Sequence, residues 1–278
     1  MRGIDYHCSM WGHGDGPLLL LLHGWGDTGS SFQFVVDALP DDWRIVAPDW
    51  RGFGETRHRS PAYWFPDYLA DLDQLLEKLS PRTAVHLVGH SMGANIIGLY
   101  AGVMPERVKS FVNVEGFGLA ERDPAGAPDN YRRWLEQSRS MPVFAEYSRF
   151  EELVPRILHR SPRMGRDKAM YVAQQWASRD EDGRVRLKAD PAHKLPNAVL
   201  YRRAEAEACW ERVEAPVLLI VGADTQFDVA REWLAAPSSA LPFPNAEVLS
   251  IEGAAHMVHF EQPEALAAAI EGFIRPRL

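Results

Sequence analysis

The sequence has little cysteine, no long apolar run and no excess of positive charge, and each shortage excludes a class of protein. Only Cys8 and Cys209 occur in 278 residues, so we expect a reducing, cytoplasmic setting without a disulfide framework. The longest apolar run, 18–22, is far below the ~20 residues that cross a bilayer, so we expect no membrane span. A formal net charge of −8 argues against affinity for nucleic acid.

What the sequence does contain is an alternation of short apolar runs with segments of helical period. With 46% hydrophobic residues, the chain can bury one sizeable core. The alternation predicts an α/β fold, with a mostly parallel central sheet and helices on both faces. Strands are expected at 4–11, 18–22, 44–47, 84–88, 108–114, 217–221 and 247–251. Helices are expected at 30–39, 67–79, 92–104, 226–235 and 263–274.

The alternation stops between residues 117 and 200, where arginine, proline and aromatic residues dominate. We interpret this segment as an inserted helical cap, with helices at 131–138, 150–159 and 170–178, on a core formed by residues 1–116 and 201–278. Such an insertion would lie over the strand ends, where ligands bind in open α/β sheets. Its 15 Lys and Arg against 12 Asp and Glu are interpreted as an ordinary solvated surface, and a preference for anionic substrates is the alternative.

One short motif carries the strongest chemical signal in the chain. Ser91 stands between Gly89 and Gly93, after an apolar run and before a segment of helical character. This is the pattern of a nucleophile elbow, a strained strand-to-helix turn that lifts a serine hydroxyl clear of both elements. The glycines provide clearance where strand and helix cross closely. Ser91 is therefore the predicted nucleophile.

A serine nucleophile needs a base, and the best candidate is a histidine near the end of the chain. His256 lies in an expected loop between the last strand and the last helix, and it follows the serine as the order serine, acid, histidine requires. His259 is interpreted as a packing or capping residue. His90 adjoins the serine, and adjacent side chains point apart, so it is assigned to packing of the elbow. His23 is interpreted as a brace for its loop.

The acid that orients the base has two candidates. Asp224 follows the expected strand 217–221 and is our first choice, while Glu115 follows the strand 108–114 and is the alternative. A carboxylate at either strand end would reach the same imidazole if the two strands are close in the sheet. Asp228 is the remaining option. The other reading of Asp224 is a turn residue that binds its own backbone.

A glycine-rich turn after the first buried strand is expected to complete the reaction centre. The backbone amides of Trp25 and Met92 are the predicted pair of oxyanion donors. Apolar side chains are predicted to line the substrate pocket under the cap: Trp50, Phe53, Phe117, Trp134, Trp176 and Met257. No cofactor is expected, and no metal site either, because the histidines and cysteines lack ligand spacing.

Together, the motifs at 22–25, 49–54 and 89–93 and the late His256 followed by 261–263 resemble the α/β-hydrolase superfamily, in particular its capped serine esterase-like branch. The resemblance implies a triad of Ser91, His256 and Asp224, and a cap that shapes the acyl and alcohol pockets. Two departures stand out. Asp224 comes only two residues after Gly222, where three is commoner, and Glu115 stands where some relatives keep their acid.

These observations lead to a functional hypothesis. The chain is predicted to be a serine hydrolase that cleaves a small to medium hydrophobic carboxylic ester through an acyl-enzyme intermediate. A carbon–carbon bond hydrolase or a cofactor-free acyltransferase would use the same triad and is the alternative among enzymes. Outside enzymes, the alternative is a ligand-binding receptor with a hydrolase fold. The expected partner is a small-molecule ester or a related acyl compound.

Overall fold

The computed structural model describes residues 1–12 and 14–278, and its centre is a seven-stranded sheet. The strands of the described residues are β1 (Cys8–Gly12), β2 (Leu18–Leu22), β3 (Arg44–Pro48), β4 (Val85–His90), β5 (Val108–Val114), β6 (Glu146–Tyr147), β7 (Ala177–Arg179), β8 (Val185–Leu187), β9 (Val217–Gly222) and β10 (Ala246–Ile251). The central order is β1-β3-β2-β4-β5-β9-β10. Only β1 pairs antiparallel in this sheet, and the other pairs are parallel.

Helices cover both faces of the sheet. They are α1 (Gln33–Val36), α2 (Phe65–Leu79), α3 (Met92–Val103), α4 (Ala127–Arg139), α5 (Val154–Arg160), α6 (Arg166–Trp176), α7 (Arg203–Trp210), α8 (Asp228–Ala235), α9 (Val258–Glu261) and α10 (Pro263–Ile274). One apolar core contains residues of α2, α3, α7 and α8, and a second contains residues of α1 and α10. The predicted fold class is therefore confirmed. Among the described residues, no helix combines the length and apolar character needed to cross a membrane.

The central strands are buried on both faces, which explains their composition. Every residue of β4 and β9 is buried, and so are four of the five leucines of β2. Parallel strands covered by helices on both sides bury successive side chains on opposite faces, so they appear as apolar runs rather than as an alternating pattern. The edge strand β1 is less buried, and it begins at Cys8 rather than at the predicted residue 4.

The segment between β5 and β9 packs around a third apolar core, which also includes Met257 and Phe260, and the segment is not purely helical. It contains α4 to α7 together with a three-stranded antiparallel sheet in the order β6-β8-β7. Strands of two or three residues are too short to show an alternating pattern, so the prediction of a helical insertion was incomplete. Backbone hydrogen bonds join this segment to the loop after β3, from Gly54 to Lys188 and from Asp190 to Gly52.

Candidate active site

The turn after β4 has the strained backbone that the motif predicts. Ser91 adopts φ +50° and ψ −112°, and α3 begins at the next residue. A β-carbon at Gly93 would lie 2.1 Å from the carbonyl oxygen of Leu22, and one at Gly89 would lie 2.5 Å from the amide nitrogen of Ala94. Because the neighbouring atoms are backbone, only glycine fits at these two positions. The turn therefore presents the Ser91 hydroxyl at the carboxyl edge of the sheet.

The side chains of Ser91, His256 and Glu115 form one continuous hydrogen-bonded chain. His256 Nε2 lies 3.1 Å from Ser91 Oγ, and His256 Nδ1 lies 3.1 Å from Glu115 Oε2. A carboxylate only accepts hydrogen bonds, so Nδ1–H donates to Glu115 and Nε2 keeps the lone pair that faces the serine hydroxyl. This is the tautomer in which an imidazole can remove the proton of a serine.

Glu115 is held firmly in this position. It is 2% exposed and adopts φ +58° directly after β5. Its Oε1 accepts a hydrogen bond from the amide of Gly222 at 2.8 Å, and its Oε2 accepts one from the Thr225 hydroxyl at 2.7 Å. Both donors come from the end of β9 and the turn after it. The carboxylate therefore links the neighbouring ends of β5 and β9, and it also holds the imidazole of His256, which comes from a third segment.

Asp224, the first choice of acid from the sequence, lies elsewhere. Its side chain is 49% exposed and accepts a hydrogen bond at 2.6 Å from Arg163, and its amide donates to the carbonyl of Ala254. Asp228 is also exposed and pairs with Arg231. The sheet order explains the correction, because β5 lies directly beside β4 whereas β9 lies one strand further away. The geometry therefore favours Glu115 as the partner of the imidazole.

The glycine-rich turn after β2 lies directly against the serine. A β-carbon at Gly24 would lie 3.2 Å from Ser91 Cβ. Among the described residues, neither the amide of Trp25 nor that of Met92 has an acceptor. The Met92 amide is also one of the free N–H groups at the first turn of α3. Both predicted oxyanion donors thus come from the two chain segments that flank the serine.

The shape of this turn depends on His23, which is fully buried. Its Nδ1–H donates to the carbonyl of Gly24 at 2.7 Å, and its Nε2 accepts from the amide of Trp50 at 2.8 Å. Burial lowers the pKa of His23, so the ring stays neutral and can act as donor and acceptor at once. The interpretation of His23 as a brace for the loop is confirmed.

A second buried cluster lies behind the imidazole. A carboxylate oxygen of Asp27 and ring nitrogens of His90 and His259 all lie within 4.8 Å of one another, although no spacing in the sequence suggests this cluster. His90 Nε2–H donates to the carbonyl of His256 at 2.9 Å. The carboxylate of Asp27 accepts from the Thr28 amide, the Ser31 hydroxyl, Trp176 Nε1 and His259 Nε2. Burial raises the pKa of Asp27, but the bonds from His259 and Ser31 outweigh it, so the net shift is downward. The cluster thus supports the loop that carries His256.

A cavity of about 350 Å³ opens beside Ser91. Its lining is largely aromatic and aliphatic: Trp25, Tyr63, Phe65, Tyr68, Met92, Leu99, Leu119, His193, Leu195, Tyr201 and Trp210. A concave, mostly apolar space with few polar groups is typical of a site for a small organic molecule. Ala192, His193, Leu195 and Asn197 belong to the inserted segment, and no motif in the sequence predicts that these particular residues line the cavity.

The predicted pocket residues divide into two groups. Phe53, Trp176 and Met257 line smaller recesses next to this cavity. Trp50 is fully buried against Tyr68, Phe117 packs against Phe227 and Trp233, and Trp134 lies half-buried on α4. Trp50, Phe117 and Trp134 line neither the cavity beside Ser91 nor the two recesses next to it. A large apolar side chain serves a core as well as a pocket, so composition does not separate the two uses.

Two histidines outside the hydrogen-bonded chain predict how stability depends on pH. Burial lowers the pKa of His86 and of His193 to about 4, whereas an unfolded histidine has a pKa of about 6.5. Between these values the unfolded chain binds protons that the folded chain does not, so stability is lost as the pH falls. We expect the free energy of unfolding to drop between pH 7 and pH 5 by on the order of 1 kcal/mol for each histidine, after allowing for solvent screening.

Urea denaturation at the two pH values measures this loss. The variant His193→Gln cannot take up the proton, so it should lose less stability than the wild-type protein over the same interval. An equal loss in the variant would show that His193 does not contribute.

Comparison with known proteins places the chain in a family. A sequence model of the alpha/beta hydrolase fold matches residues 17–263, and the chain belongs to this family of hydrolases. Serine hydrolase-like protein of Danio rerio is 27% identical, over 97% of this chain and 85% of the relative. Bifunctional esterase/perhydrolase DCH of Acinetobacter calcoaceticus is 24% identical, over 98% and 97%. The thioesterase domain from the curacin biosynthetic pathway shares the fold, with a TM-score of 0.84 at 23% identity over 97% of this chain and 96% of that domain. The resemblance inferred from the motifs is confirmed.

Proposed function

We propose that this hydrolase cleaves carboxylic esters through an acyl-enzyme formed on Ser91. The observation that carries the proposal is the continuous hydrogen-bonded chain from Ser91 Oγ through His256 to Glu115. His256 removes the hydroxyl proton as Oγ attacks the ester carbonyl, and Glu115 holds the ring and stabilises the imidazolium that forms. The same imidazolium then protonates the departing alcohol.

In the second half of the cycle water takes the place of the alcohol. His256 removes a proton from the water as its oxygen attacks the acyl carbon, the bond from that carbon to Ser91 Oγ breaks, and Oγ takes the proton back from the imidazolium. In both halves the carbonyl oxygen becomes negative. We assign the binding of this oxygen to the backbone N–H groups of Trp25 and Met92. Loss of one such donor typically costs about 10²- to 10³-fold in rate, so the turn braced by His23 matters as much as the side chains.

The cavity supports a small to medium hydrophobic acyl group. Its volume of about 350 Å³ lies at the lower end of the ~300–1,000 Å³ range of ligand sites, and its lining is mainly apolar. One relative is named as an esterase and perhydrolase, which agrees with ester chemistry. The inserted segment is assigned the role of a cap, because His193 and Leu195 line the same cavity as Ser91.

A series of p-nitrophenyl esters from acetate to laurate tests this proposal. Each buried methylene contributes about 0.8 kcal/mol, so kcat/KM should rise about fourfold per methylene until the cavity is full and then fall. A fluorophosphonate probe should also modify Ser91, as shown by mass spectrometry of the labelled peptide. No turnover of any ester together with no labelling would contradict the proposal and favour a ligand-binding receptor.

A further inference from the structure

A second, smaller recess opens on Ser91. It has a volume of about 110 Å³ and is lined by Arg160, Trp176, His256 and Met257, among others. The large cavity and this recess share Ser91 and Trp25, so the nucleophile stands between two spaces of different character. Since the recess is well below the volume of a complete ligand site, it fits a small group rather than a chain.

The position of the imidazole assigns a role to each space. His256 lines the small recess and does not line the large cavity. In ester cleavage the imidazolium must reach the oxygen of the departing alcohol to protonate it. The alcohol therefore leaves on the side of the small recess, and the acyl group occupies the large apolar cavity. This assignment rests on the proposed ester hydrolysis.

Arg160 brings a positive charge to the alcohol side. It ends α5, and it has no carboxylate within 4.0 Å among the residues that the structure describes. The nearby arginines do have side-chain partners: Arg156 donates to the Tyr147 hydroxyl, and Arg163 pairs with Asp224. Arg160 is exposed and also lines a further recess of about 120 Å³, so this residue borders both recesses.

Two other charged groups, Asp27 and Lys188, border these recesses, and among the described residues neither forms an ion pair with Arg160 within 4.0 Å. The carboxylate of Asp27 already accepts four hydrogen bonds from protein donors. Lys188 pairs with Glu55 at 2.9 Å.

We propose that Arg160 binds a carboxylate on the alcohol part of the substrate, so that the preferred substrates are acyl esters of a small hydroxy acid. A guanidinium and a carboxylate match in shape and form two parallel hydrogen bonds. In the reaction, the bond between acyl carbon and ester oxygen breaks, the oxygen takes the proton from His256, and the free hydroxy acid leaves. The acyl group stays on Ser91 Oγ until water releases it.

Two esters of the same size test the proposal: O-butanoylglycolate, which carries a carboxylate, and O-butanoylglycolamide, which carries a neutral amide. We expect the wild-type protein to favour the glycolate ester by about tenfold or more in kcat/KM, since a hydrogen-bonded charge pair is the stronger contact. Arg160→Gln should lower kcat/KM for the glycolate ester about 10- to 100-fold and leave the glycolamide ester within about threefold. Release of butanoic acid is followed by pH-stat titration.

Two further variants sharpen the test. Arg160→Lys keeps the charge without the bidentate geometry, so its loss on the glycolate ester should be intermediate. Arg139→Gln removes the same charge from the exposed end of α4 and should behave as the wild-type protein. Two results would overturn the role of Arg160 while leaving ester hydrolysis intact. One is an equal loss on both esters in Arg160→Gln, and the other is a wild-type protein that cleaves both esters without a preference. If the wild-type protein cleaves neither ester nor p-nitrophenyl butyrate, ester hydrolysis itself fails.

Discussion

Replacement of Ser91 by alanine is expected to lower kcat/KM for the best p-nitrophenyl ester by about 10⁴- to 10⁶-fold. The variant lacks the atom that becomes acylated, so neither half of the cycle can run through the enzyme. Binding and the two amides of the oxyanion site remain, and they leave a residual acceleration over water. Initial rates at saturating and limiting ester concentrations separate the loss in kcat from any change in KM.

The expected loss is specific to the hydroxyl rather than to the fold. Ser91→Ala keeps the β-carbon and removes a single atom, so its urea denaturation curve should stay close to that of the wild-type protein. Ser148→Ala makes the same change at an exposed position and should keep full activity. A Ser91→Ala protein that retains a tenth of the wild-type rate, or that still reacts with the fluorophosphonate probe, would show that another group is the nucleophile.

The second large effect concerns the acid. Glu115→Gln is expected to lower kcat by about 10³- to 10⁴-fold, because the amide no longer fixes the required tautomer or stabilises the imidazolium. Asp224→Asn should stay within about threefold of the wild-type rate, because the side chain of Asp224 is half exposed and pairs with Arg163. Measuring kcat for the two variants side by side compares equal chemical changes at two strand ends.

Glu115 also holds Gly222 and Thr225, so its structural role needs a separate measurement. Urea denaturation reports the cost to stability, whereas the dependence of kcat on pH reports how the carboxylate acts on the catalytic step. Loss of the negative charge that stabilises the imidazolium should shift the acidic limb of the pH profile of Glu115→Gln toward lower pH, which a purely structural role would not do. If Asp224→Asn loses activity while Glu115→Gln keeps it, the assignment of the acid reverts to Asp224.

The nucleophile and the base are predictable from the sequence because local constraints mark them. The turn around Ser91 needs small residues at fixed offsets, whatever the rest of the molecule does. His256 is marked by its place in the chain, in a loop between an apolar run and a final helix. Both features lie within about ten residues of sequence, so Ser91 and His256 can be predicted without knowledge of the sheet order.

The acid depends on information that the sequence does not display. Glu115 and Asp224 each follow a buried strand, and both strands end at the same edge of the sheet. Which of them faces the imidazole follows from the order β4-β5-β9, and this order is a property of the folded sheet. Glu115 also adopts a left-handed backbone conformation, and this conformation cannot be predicted from the sequence because glutamate rarely adopts it.

The lining of the cavity is predictable only in part, for a similar reason. Tyr63, His193 and Tyr201 come from separate loops of the core and the inserted segment, and no repeat or spacing connects them. Trp50 and Phe117 satisfy the same compositional rule and lie in packed cores instead. Composition therefore predicts that apolar side chains are buried, while the arrangement of the chain decides whether they face protein or ligand.

Two of the three groups in the hydrogen-bonded chain stand on left-handed backbone, Ser91 at φ +50° and Glu115 at φ +58°. A non-glycine residue in such a conformation costs about 1–3 kcal/mol, which the surrounding sheet must offset. The unfolded chain is free of this penalty, so local opening of the strand ends near the reaction centre relieves it. Greater heat resistance obtained by relaxing either residue would come with slower turnover.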